Sequence, residues 1–309
     1  MLRSTLLALS RNRKAEQIAR ENPAARSLVD RFVAGTDVAD AVRACSELSQ
    51  TGRLATVDYL GEDTTDVAAA RQTAATYVQL LEALGQSELS TRVEVSIKLT
   101  ALGLTLPADG RRIAQELAAE ICGKAADVGT TVTVDMEDHT TTDATLDVVC
   151  SLREDFPSTG VVLQAYLSRT YADCIDWSYP GSRIRLVKGA YKEPASVSIQ
   201  DKHEIDLAYV RCMAALLAGS GYPMFATHDP RLIEIAGSLV VKSGREQGSY
   251  EYQLLHGVRS SEQLRLAADG ERVRIYVPFG EEWYGYLMRR LAERPANLSL
   301  LARSLTSKG

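Results

Sequence analysis

Hydrophobic and polar positions change their spacing close to Leu54. Before that residue, the stretch 1–52 shows helical spacing alone, with helix starts at Asn22-Pro23 and Thr36-Asp37 and a helix end at Gly52. After it, short runs rich in β-branched and aromatic residues alternate with longer stretches of helical spacing. This alternation is typical of βα units arranged around a parallel sheet.

Eight β-rich runs can be counted in the second part of the chain. The runs are Leu54–Leu60, Val93–Thr100, Thr131–Glu137, Gly160–Leu167, Ile184–Tyr191, Pro223–Asp229, Tyr250–Gly257 and Val273–Gly280. Helical patterns lie between them, for example over Thr65–Leu84, Asp109–Val128 and Lys202–Ala218. Eight strands, each followed by a helix, predict a (β/α)8 barrel. A doubly wound sheet is disfavoured because no glycine-rich loop follows the first run, and Asp58–Glu62 is not a dinucleotide fingerprint.

We therefore predict two parts, an N-terminal helical arm over 1–52 and a barrel over 53–309. The net charge of −5 argues against a nucleic-acid partner, which would need a basic face. The five cysteines are scattered and never spaced Cys-x-x-Cys, which fits buried thiols in a reducing compartment. The sequence has no apolar run near the roughly 20 residues that span a bilayer and no convincing signal peptide. We expect a cytoplasmic protein.

Polar side chains recur at the C-terminal ends of the predicted strands, where barrels carry their active sites. They are Lys98, Asp135, Glu137, Gln164, Arg185, Lys188, Thr227, His228, Gln253, His256 and Tyr276. Unpaired polar groups inside a barrel cost several kcal/mol each, so this ring predicts a bound polar ligand.

Lys98 is the basic residue of an otherwise apolar run, and it shares a strand face with Ser96. A buried lysine is an ion-pair partner, a Schiff-base nucleophile or an anion ligand, and Asp135 on the next strand is its expected partner. A metal held by Asp135, Glu137 and His139 is disfavoured because the ring supplies no second histidine at ligand spacing.

The run Arg185-Leu-Val-Lys-Gly-Ala-Tyr191 carries two basic residues that face opposite ways, before small residues at Gly189-Ala190. This pattern suits a phosphate-bearing aromatic cofactor, with Lys188 on the phosphate, Arg185 beside the ring and Tyr191 as a wall. His228 is expected to contact a ligand, since no partner nucleophile supports a catalytic dyad.

Near the C-terminus, Tyr286, Arg289, Arg290 and Glu293 share one face of a predicted helix. Two adjacent guanidinium groups suit a carboxylate or a phosphate better than they suit each other. The helix is therefore a second candidate for anion binding.

Together these motifs resemble the proline dehydrogenase family of flavoenzymes over almost all of residues 54–305. The matching stretches are Ser96–Gly103, Val134–Glu137, Gln164–Tyr166, Arg185–Tyr191, Phe225–His228, Tyr250–Gly257 and Tyr286–Glu293. The resemblance implies a distorted (β/α)8 barrel with FAD at its mouth, and a last helix that lies over the mouth and not outside the barrel.

The resemblance also implies roles for individual residues. The proline carboxylate would be held by Lys98, Arg289 and Arg290, the proline ring by Tyr191 and Tyr276, and the arginines by Tyr286 and Glu293. The catalytic pair would be Asp135 and Arg185. The FAD contacts would be Asp135, Met136, Gln164, Arg185, Val187, Lys188, Gly189, Ala190, Thr227 and His228, with no metal.

The implied reaction is oxidation of L-proline to Δ1-pyrroline-5-carboxylate by hydride transfer from C5 to flavin N5, followed by reoxidation by a quinone. A quinone acceptor implies peripheral contact with the inner face of the membrane, and the product would pass to a separate pyrroline-5-carboxylate dehydrogenase. Two alternatives stay open: a class I aldolase-like barrel with a Schiff base on Lys98 or Lys188, and a non-catalytic barrel that binds an anion through Arg289 and Arg290.

Overall fold

The computed structural model describes residues 29–293, and the side chains of 291–293 lie outside that description. The predicted helix start at Asn22-Pro23 and most of the predicted arm therefore lie outside the described residues. The division of the chain at residue 52 stays a prediction.

Eight parallel strands form a closed barrel in which each strand pairs with the next and the last pairs with the first. The strands are β1 (Leu54–Tyr59), β2 (Val93–Ile97), β3 (Val132–Val134), β4 (Gly160–Gln164), β5 (Arg183–Val187), β6 (Tyr222–Ala226), β7 (Glu251–Leu255) and β8 (Val273–Phe279). The described helices are α1 (Val38–Gln50), α2 (Val67–Gln86), α3 (Gly110–Asp127), α4 (Thr142–Asp155), α5 (Thr170–Trp177), α6 (Lys202–Ala218), α7 (Pro230–Ser243), α8 (Ser260–Ala268) and α9 (Trp283–Glu293). The predicted (β/α)8 fold is confirmed.

Helix α1 begins where the sequence predicts, because the Asp37 side chain accepts a hydrogen bond from the Asp40 backbone at the N-cap. Its buried residues, among them Ala41 and Leu48, belong to the same apolar core as the barrel strands. Most predicted β-runs continue past the observed strands at their C-terminal ends. The polar residues there, such as Lys98 and Asp135, consequently lie just beyond β2 and β3.

The strands bury apolar side chains against the helices and charged side chains inside the barrel. In β1, Ala55 and Val57 join the apolar core, whereas Thr56 is close to the Arg185 guanidinium that reaches it from β5. Alternation of this kind follows from the two-residue repeat of a strand. The interior is therefore a stack of ion pairs surrounded by an apolar shell.

The lower layer of this stack lies at the N-terminal end of the barrel. Glu94 interacts with Arg183, Arg185 and Arg274, and Glu251 Oε1 lies 2.7 Å from Arg274 Nε. Burial opposes the charge of Glu94, but the three guanidinium groups lower its pKa to about 2. These charges are mutually compensated, as expected for the stabilising end of a barrel.

Helix α9 lies against the C-terminal end of β1 and not in the outer ring of helices. Its residues Trp283, Tyr284, Tyr286, Leu287 and Met288 form a second apolar cluster with Phe32, Val33 and Leu60, the residue that follows β1. Packing of this helix on the end of a strand places it over the barrel mouth, as the resemblance implies.

Candidate active site

The Asp135 carboxylate receives hydrogen bonds from three strands. Its Oδ1 atom accepts from Ser96 Oγ at 2.8 Å and from Arg185 Nη1 at 2.7 Å, and its Oδ2 atom accepts from Tyr276 Oη at 2.7 Å. Lys98 Nζ lies 3.7 Å from Oδ2. The structure therefore brings together Lys98, Asp135, Arg185 and Tyr276 at the centre of the mouth, as predicted.

Arg185 is 3% exposed and directs its guanidinium into the barrel. Its Nε atom donates to Gln253 Oε1 at 2.5 Å, and its Nη2 atom lies 3.4 Å from Glu94 Oε1. The guanidinium also lies 5.5 Å from the centre of the Tyr276 ring. A fixed positive charge thus lies directly below Asp135, held by groups on β2 and β7.

Lys98 has a closer partner than the predicted one. Its Nζ atom lies 2.6 Å from Asp58 Oδ1, compared with 3.7 Å from Asp135 Oδ2. Asp58 lies at the end of β1, opposite Ser96 in the register of β1 and β2. The expectation that Asp135 is the main partner of Lys98 is therefore corrected, because β1 supplies a nearer carboxylate.

The charge of Lys98 follows from this pairing. Burial alone would favour the neutral amine, but the carboxylates of Asp58 and Asp135 raise the pKa of Lys98 above its usual value. Burial raises the pKa of Asp58, and the ammonium of Lys98 opposes that rise. A lysine kept protonated can bind an anion and is a poor Schiff-base nucleophile, which disfavours the aldolase alternative at Lys98.

Arg289 on α9 turns toward the mouth and meets a carboxylate from the loop after β1. Its Nη2 atom lies 2.6 Å from Glu62 Oε1, and its Nη1 atom donates to Glu62 Oε2 at 3.3 Å. Burial opposes the charge of Arg289, but Glu62 and more distant Asp58 and Tyr191 raise its pKa. Glu62 is not among the residues that the sequence patterns single out.

Arg290 has its guanidinium carbon 5.3 Å from the centre of the Tyr286 ring. The predicted support of an arginine by Tyr286 thus has a geometric basis, although Tyr286 is buried in the apolar cluster with Tyr284 and not on a separate polar face. Glu293 lies in α9, but its side chain is outside the described residues.

Tyr191 follows β5 and is half-buried. Burial raises the pKa of its phenol, and the carboxyl groups of Glu62 and Glu137 add to the rise. Tyr276 behaves similarly, since burial and the neighbouring Asp135 raise its pKa well above the usual value. Both predicted aromatic walls therefore stay uncharged and lie within the field of the acidic groups at the mouth.

The segment after β5 turns sharply at Gly189, whose φ is +116°. A side chain at this glycine would place its Cβ 2.2 Å from the Tyr166 ring, so the turn requires glycine. Val187, Lys188, Gly189 and Ala190 are all half-buried at the rim. The close approach at Gly189 is made by the Tyr166 ring, and the predicted approach of a ligand to this backbone stays a prediction.

Lys188 faces away from Arg185, as predicted, and interacts with two carboxylates that the sequence argument did not assign to it. It donates to Asp206, and its Nζ atom lies 3.4 Å from Asp229 Oδ2. Arg231 Nη2 completes the group at 2.9 Å from Asp206 Oδ2 and 2.7 Å from Asp229 Oδ2. The assignment of Lys188 to a phosphate stays a prediction.

The remaining predicted cofactor contacts lie on adjacent strand ends. Gln164 Nε2 donates to the Glu137 carbonyl at 2.8 Å, and Met136 beside it is buried. His228 Nε2 accepts from the Leu255 backbone at 2.8 Å, which leaves the ring proton on Nδ1. Thr227, also buried, accepts a hydrogen bond from Asp229 N at 3.2 Å.

The described side chains contain no cluster of three or more histidine, cysteine, aspartate or glutamate groups that could hold a metal ion. Within residues 29–293, none of the helices combines the length and the apolar character needed to cross a bilayer.

This fold and site define a (β/α)8-barrel enzyme with a compact charged centre at the C-terminal strand ends and an arginine-bearing helix above it. The family model described as proline dehydrogenase matches residues 41–303. Proline dehydrogenase 1 of Bacillus subtilis strain 168 is 35% identical over 308 residues, which cover 100% of both chains. The chain therefore belongs to the proline dehydrogenase family.

Further relatives agree with this membership. Proline dehydrogenase of Deinococcus radiodurans is 35% identical over 307 residues, covering 99% of this chain and 98% of that protein. The bifunctional protein PutA of Escherichia coli K12 is 30% identical over 322 residues, covering 91% of this chain and 24% of PutA. A crystal structure of proline utilization A from Bdellovibrio bacteriovorus, inactivated by N-propargylglycine, superposes with a TM-score of 0.81 and 24% identity over 92% of this chain and 34% of that one, which shows a shared fold.

Proposed function

We propose that the protein oxidises L-proline to Δ1-pyrroline-5-carboxylate, the first step of proline breakdown, with FAD as its resident cofactor. Family membership supports the substrate, and the proposal depends chiefly on one observation. Two cations at the mouth, Lys98 just after β2 and Arg289 on α9, are each paired with a carboxylate of the segment Asp58–Glu62. Such a pair of cations suits a small amino acid bound by its carboxylate.

The donors at the mouth fit a flavin dinucleotide. A flavin ring presents several acceptor atoms along one edge, and Arg185 on β5 and His228 after β6 carry nitrogen donors near neighbouring strand ends. The N–H groups of Arg185 are engaged within the barrel, so a bond to the flavin would replace the one to Asp135. The backbone of 187–190 is half-buried at the rim, and Lys188 and Arg231, here paired with Asp206 and Asp229, are the cations that a pyrophosphate would engage. The residues that would hold the cofactor are Asp135, Met136, Gln164, Arg185, Val187, Lys188, Gly189, Ala190, Thr227 and His228. When bound, the flavin supplies the acceptor for the hydride that leaves substrate C5, at its N5 atom.

The protein contributes binding and orientation. Arg289, Arg290 and Lys98 would hold the substrate carboxylate, and Tyr191 and Tyr276 would confine its ring. The ion pair with Asp58 keeps Lys98 both charged and fixed. A proline ring held by its carboxylate and confined by two phenol rings always presents C5 to the cofactor in the same orientation. This lowers the entropic part of the activation barrier.

Asp135 and Arg185 form the charged floor of the site. Because Asp135 accepts from Ser96, Arg185 and Tyr276 together, its carboxylate is fixed and remains available to orient groups above it. The substrate amine is proposed to lose its proton to solvent before binding. A quinone would reoxidise the cofactor by peripheral contact with a membrane, and a separate pyrroline-5-carboxylate dehydrogenase would consume the product.

The test measures oxidation of proline and, in parallel, traps any Schiff base that a lysine forms. Purified protein is incubated with L-proline and a redox dye, and in parallel with a keto acid and borohydride. We expect dye reduction that depends on proline, and no covalent adduct on Lys98 or Lys188. An adduct on either lysine without dye reduction would favour the aldolase-like reading, and neither signal would favour a non-catalytic anion-binding barrel.

A further inference from the structure

Four strand ends at the mouth are joined by a continuous series of hydrogen bonds. Gln164 at the end of β4 donates to the Glu137 carbonyl after β3. Glu137 Oε2 accepts from Thr100 N at 3.0 Å, and Oε1 accepts from Thr100 Oγ1 at 2.5 Å. Thr100, after β2, in turn accepts from Asp63 N at its Oγ1 atom (3.3 Å) and from Thr64 N at its carbonyl (3.2 Å). We call Glu137, Thr100, Asp63 and Thr64 the loop relay.

The relay ends beside the residue that holds Arg289. Glu62 directly precedes Asp63, and its carboxylate lies 2.6 Å from Arg289 Nη2. Asp63 has a φ of +53°, a left-handed conformation that non-glycine residues adopt at a cost. A residue in this conformation needs support from the surrounding structure, and Thr100 provides it through two consecutive backbone amides.

Because Glu137 and Thr100 are buried, loss of one of their hydrogen-bonding groups should disturb the rest of the loop relay. Glu137 is 4% exposed and Thr100 is 3% exposed, so water cannot readily replace a lost hydrogen bond. Loss of the Glu137 carboxyl would leave both the amide and the hydroxyl of Thr100 without their partner. The expected consequence is a displaced Thr100 and a less ordered 62–64 segment.

We propose, building on the function proposed above, that Glu137 is a positioning residue for substrate binding: through Thr100 it fixes the 62–64 segment, and so the placement of Glu62 and of the Arg289 guanidinium. Glu137 does not contact the substrate in this account. Its influence reaches the substrate carboxylate through the relay and Arg289.

The protonation state of Glu137 gives the proposal a second observable. Burial raises the pKa of Glu137 to about 7, although the two hydrogen bonds from Thr100 favour the charged form. The charged groups that face Glu137 shift its pKa in opposite directions. Glu62, in the loop after β1, raises the pKa, and Lys98, just after β2, lowers it; the titratable phenol of Tyr191 also faces this group. The ionised carboxylate accepts both Thr100 bonds, whereas the protonated acid must donate one of its own. The relay should therefore weaken as the pH falls through about 7.

Two variants, one control variant and three measurements test the inference. Glu137→Gln keeps the shape and imitates the neutral acid, and Thr100→Val removes the hydroxyl from the other side of the same contact. Glu154→Gln, at an exposed position on α4, is the matched control. Amide hydrogen exchange of 62–64 is measured by mass spectrometry. The inhibition constant of tetrahydro-2-furoate, the ring-oxygen analogue of proline, is measured from pH 5.5 to 8.5 because the analogue has no amine that titrates there.

We expect exchange at 63 and 64 to rise about tenfold in Glu137→Gln and in Thr100→Val, the effect of losing one positioned hydrogen bond. KM for proline should rise by a similar factor of about ten while kcat changes less than about twofold, since binding and not chemistry is affected. The inhibition constant should increase toward low pH in the wild type and stay high and flat in Glu137→Gln.

The outcomes separate this inference from the proposed function. If the wild type fails to oxidise proline while exchange at 63 and 64 responds as expected, the proposed function is wrong and the relay stands. If the wild type oxidises proline, and both variants keep wild-type exchange and the wild-type pH profile of inhibition, the role of Glu137 is overturned. Equal changes in Glu154→Gln would likewise overturn it.

Discussion

Asp58 and Lys98 form a buried ion pair that joins the first two strands of the barrel, with 2.6 Å between Oδ1 and Nζ. Asp58 is 1% exposed and Lys98 is 9% exposed. Loss of one member of such a pair leaves the other charge buried and poorly compensated, which is far costlier than loss of an exposed pair. The pair therefore supports the fold and keeps the Lys98 ammonium in place for a substrate carboxylate.

Substitution Asp58→Asn is expected to lower the free energy of unfolding by roughly 3–5 kcal/mol, the usual effect of breaking a buried ion pair. Denaturant titration measures the change. Arg265→Ala is the control because Arg265 is an exposed residue of α8 that pairs with Glu262 and with Asp269 at the end of the helix, and its loss should cost no more than about 1 kcal/mol. Equal effects of the two substitutions would show that the Asp58–Lys98 pair is not a special stabilising feature.

The two arginines of α9 are predicted to act mainly on substrate affinity. Arg289→Met and Arg290→Met should each weaken proline binding by roughly 2–5 kcal/mol, as truncation of one partner of a buried charge pair does. Steady-state kinetics with a dye acceptor should report the loss chiefly as a higher KM. An unchanged KM in both variants would show that Arg289 and Arg290 do not hold the substrate carboxylate.

Tyr276 is predicted to discriminate against 4-hydroxyproline. Its phenol is fixed by a hydrogen bond of 2.7 Å to Asp135, so it cannot move aside for an additional hydroxyl group. In the wild type, kcat/KM should be clearly lower for 4-hydroxyproline than for proline, and Tyr276→Ser should reduce that preference. Equal efficiency of the wild type on both substrates would refute this role.

Glu137 should give the protein a pH-dependent stability. Its folded-state pKa of about 7 lies above the usual value of 4.5, so the folded state retains a proton that the unfolded state releases between these values. The stability that this proton contributes is present below about pH 4.5 and is lost as the pH rises through about 7, a change of roughly 3 kcal/mol at 1.36 kcal/mol per pKa unit.

The comparison of wild type with Glu137→Gln isolates that contribution, because the amide does not titrate. As the pH rises from 4.5 to 8, the free energy of unfolding of Glu137→Gln should increase relative to that of the wild type. Glu154→Gln should show no such relative change. Parallel pH profiles of wild type and Glu137→Gln would mean that the carboxyl group has no raised pKa.

Much of the architecture could be predicted from local patterns. Helix α6 occupies the predicted range Lys202–Ala218, and each predicted β-run overlaps one strand. These elements are set by neighbouring residues: Asp201 caps α6, and Gly219 follows its end. Ser96, Lys98, Asp135, Arg185 and Tyr276 could be brought together because all parallel strands of a barrel end at the same face.

The acidic partners could not be predicted in the same way. Asp58 lies in the first β-run and Glu62 in the loop after it, and they acquire roles through contacts with Lys98 and Arg289 that are distant in sequence. Asp229 is the N-cap of α7, and the same carboxylate also approaches Lys188. Such pairings depend on strand register and on helix placement, which no local pattern encodes.

The most direct test of the central claim is an anaerobic titration of the purified protein with L-proline, followed by absorbance between about 350 and 500 nm, where an oxidised flavin absorbs. We expect a yellow protein whose absorbance band near 450 nm disappears on addition of about one equivalent of proline, because the hydride moves to the cofactor. A colourless protein, or a flavin band that proline leaves unchanged, would contradict it.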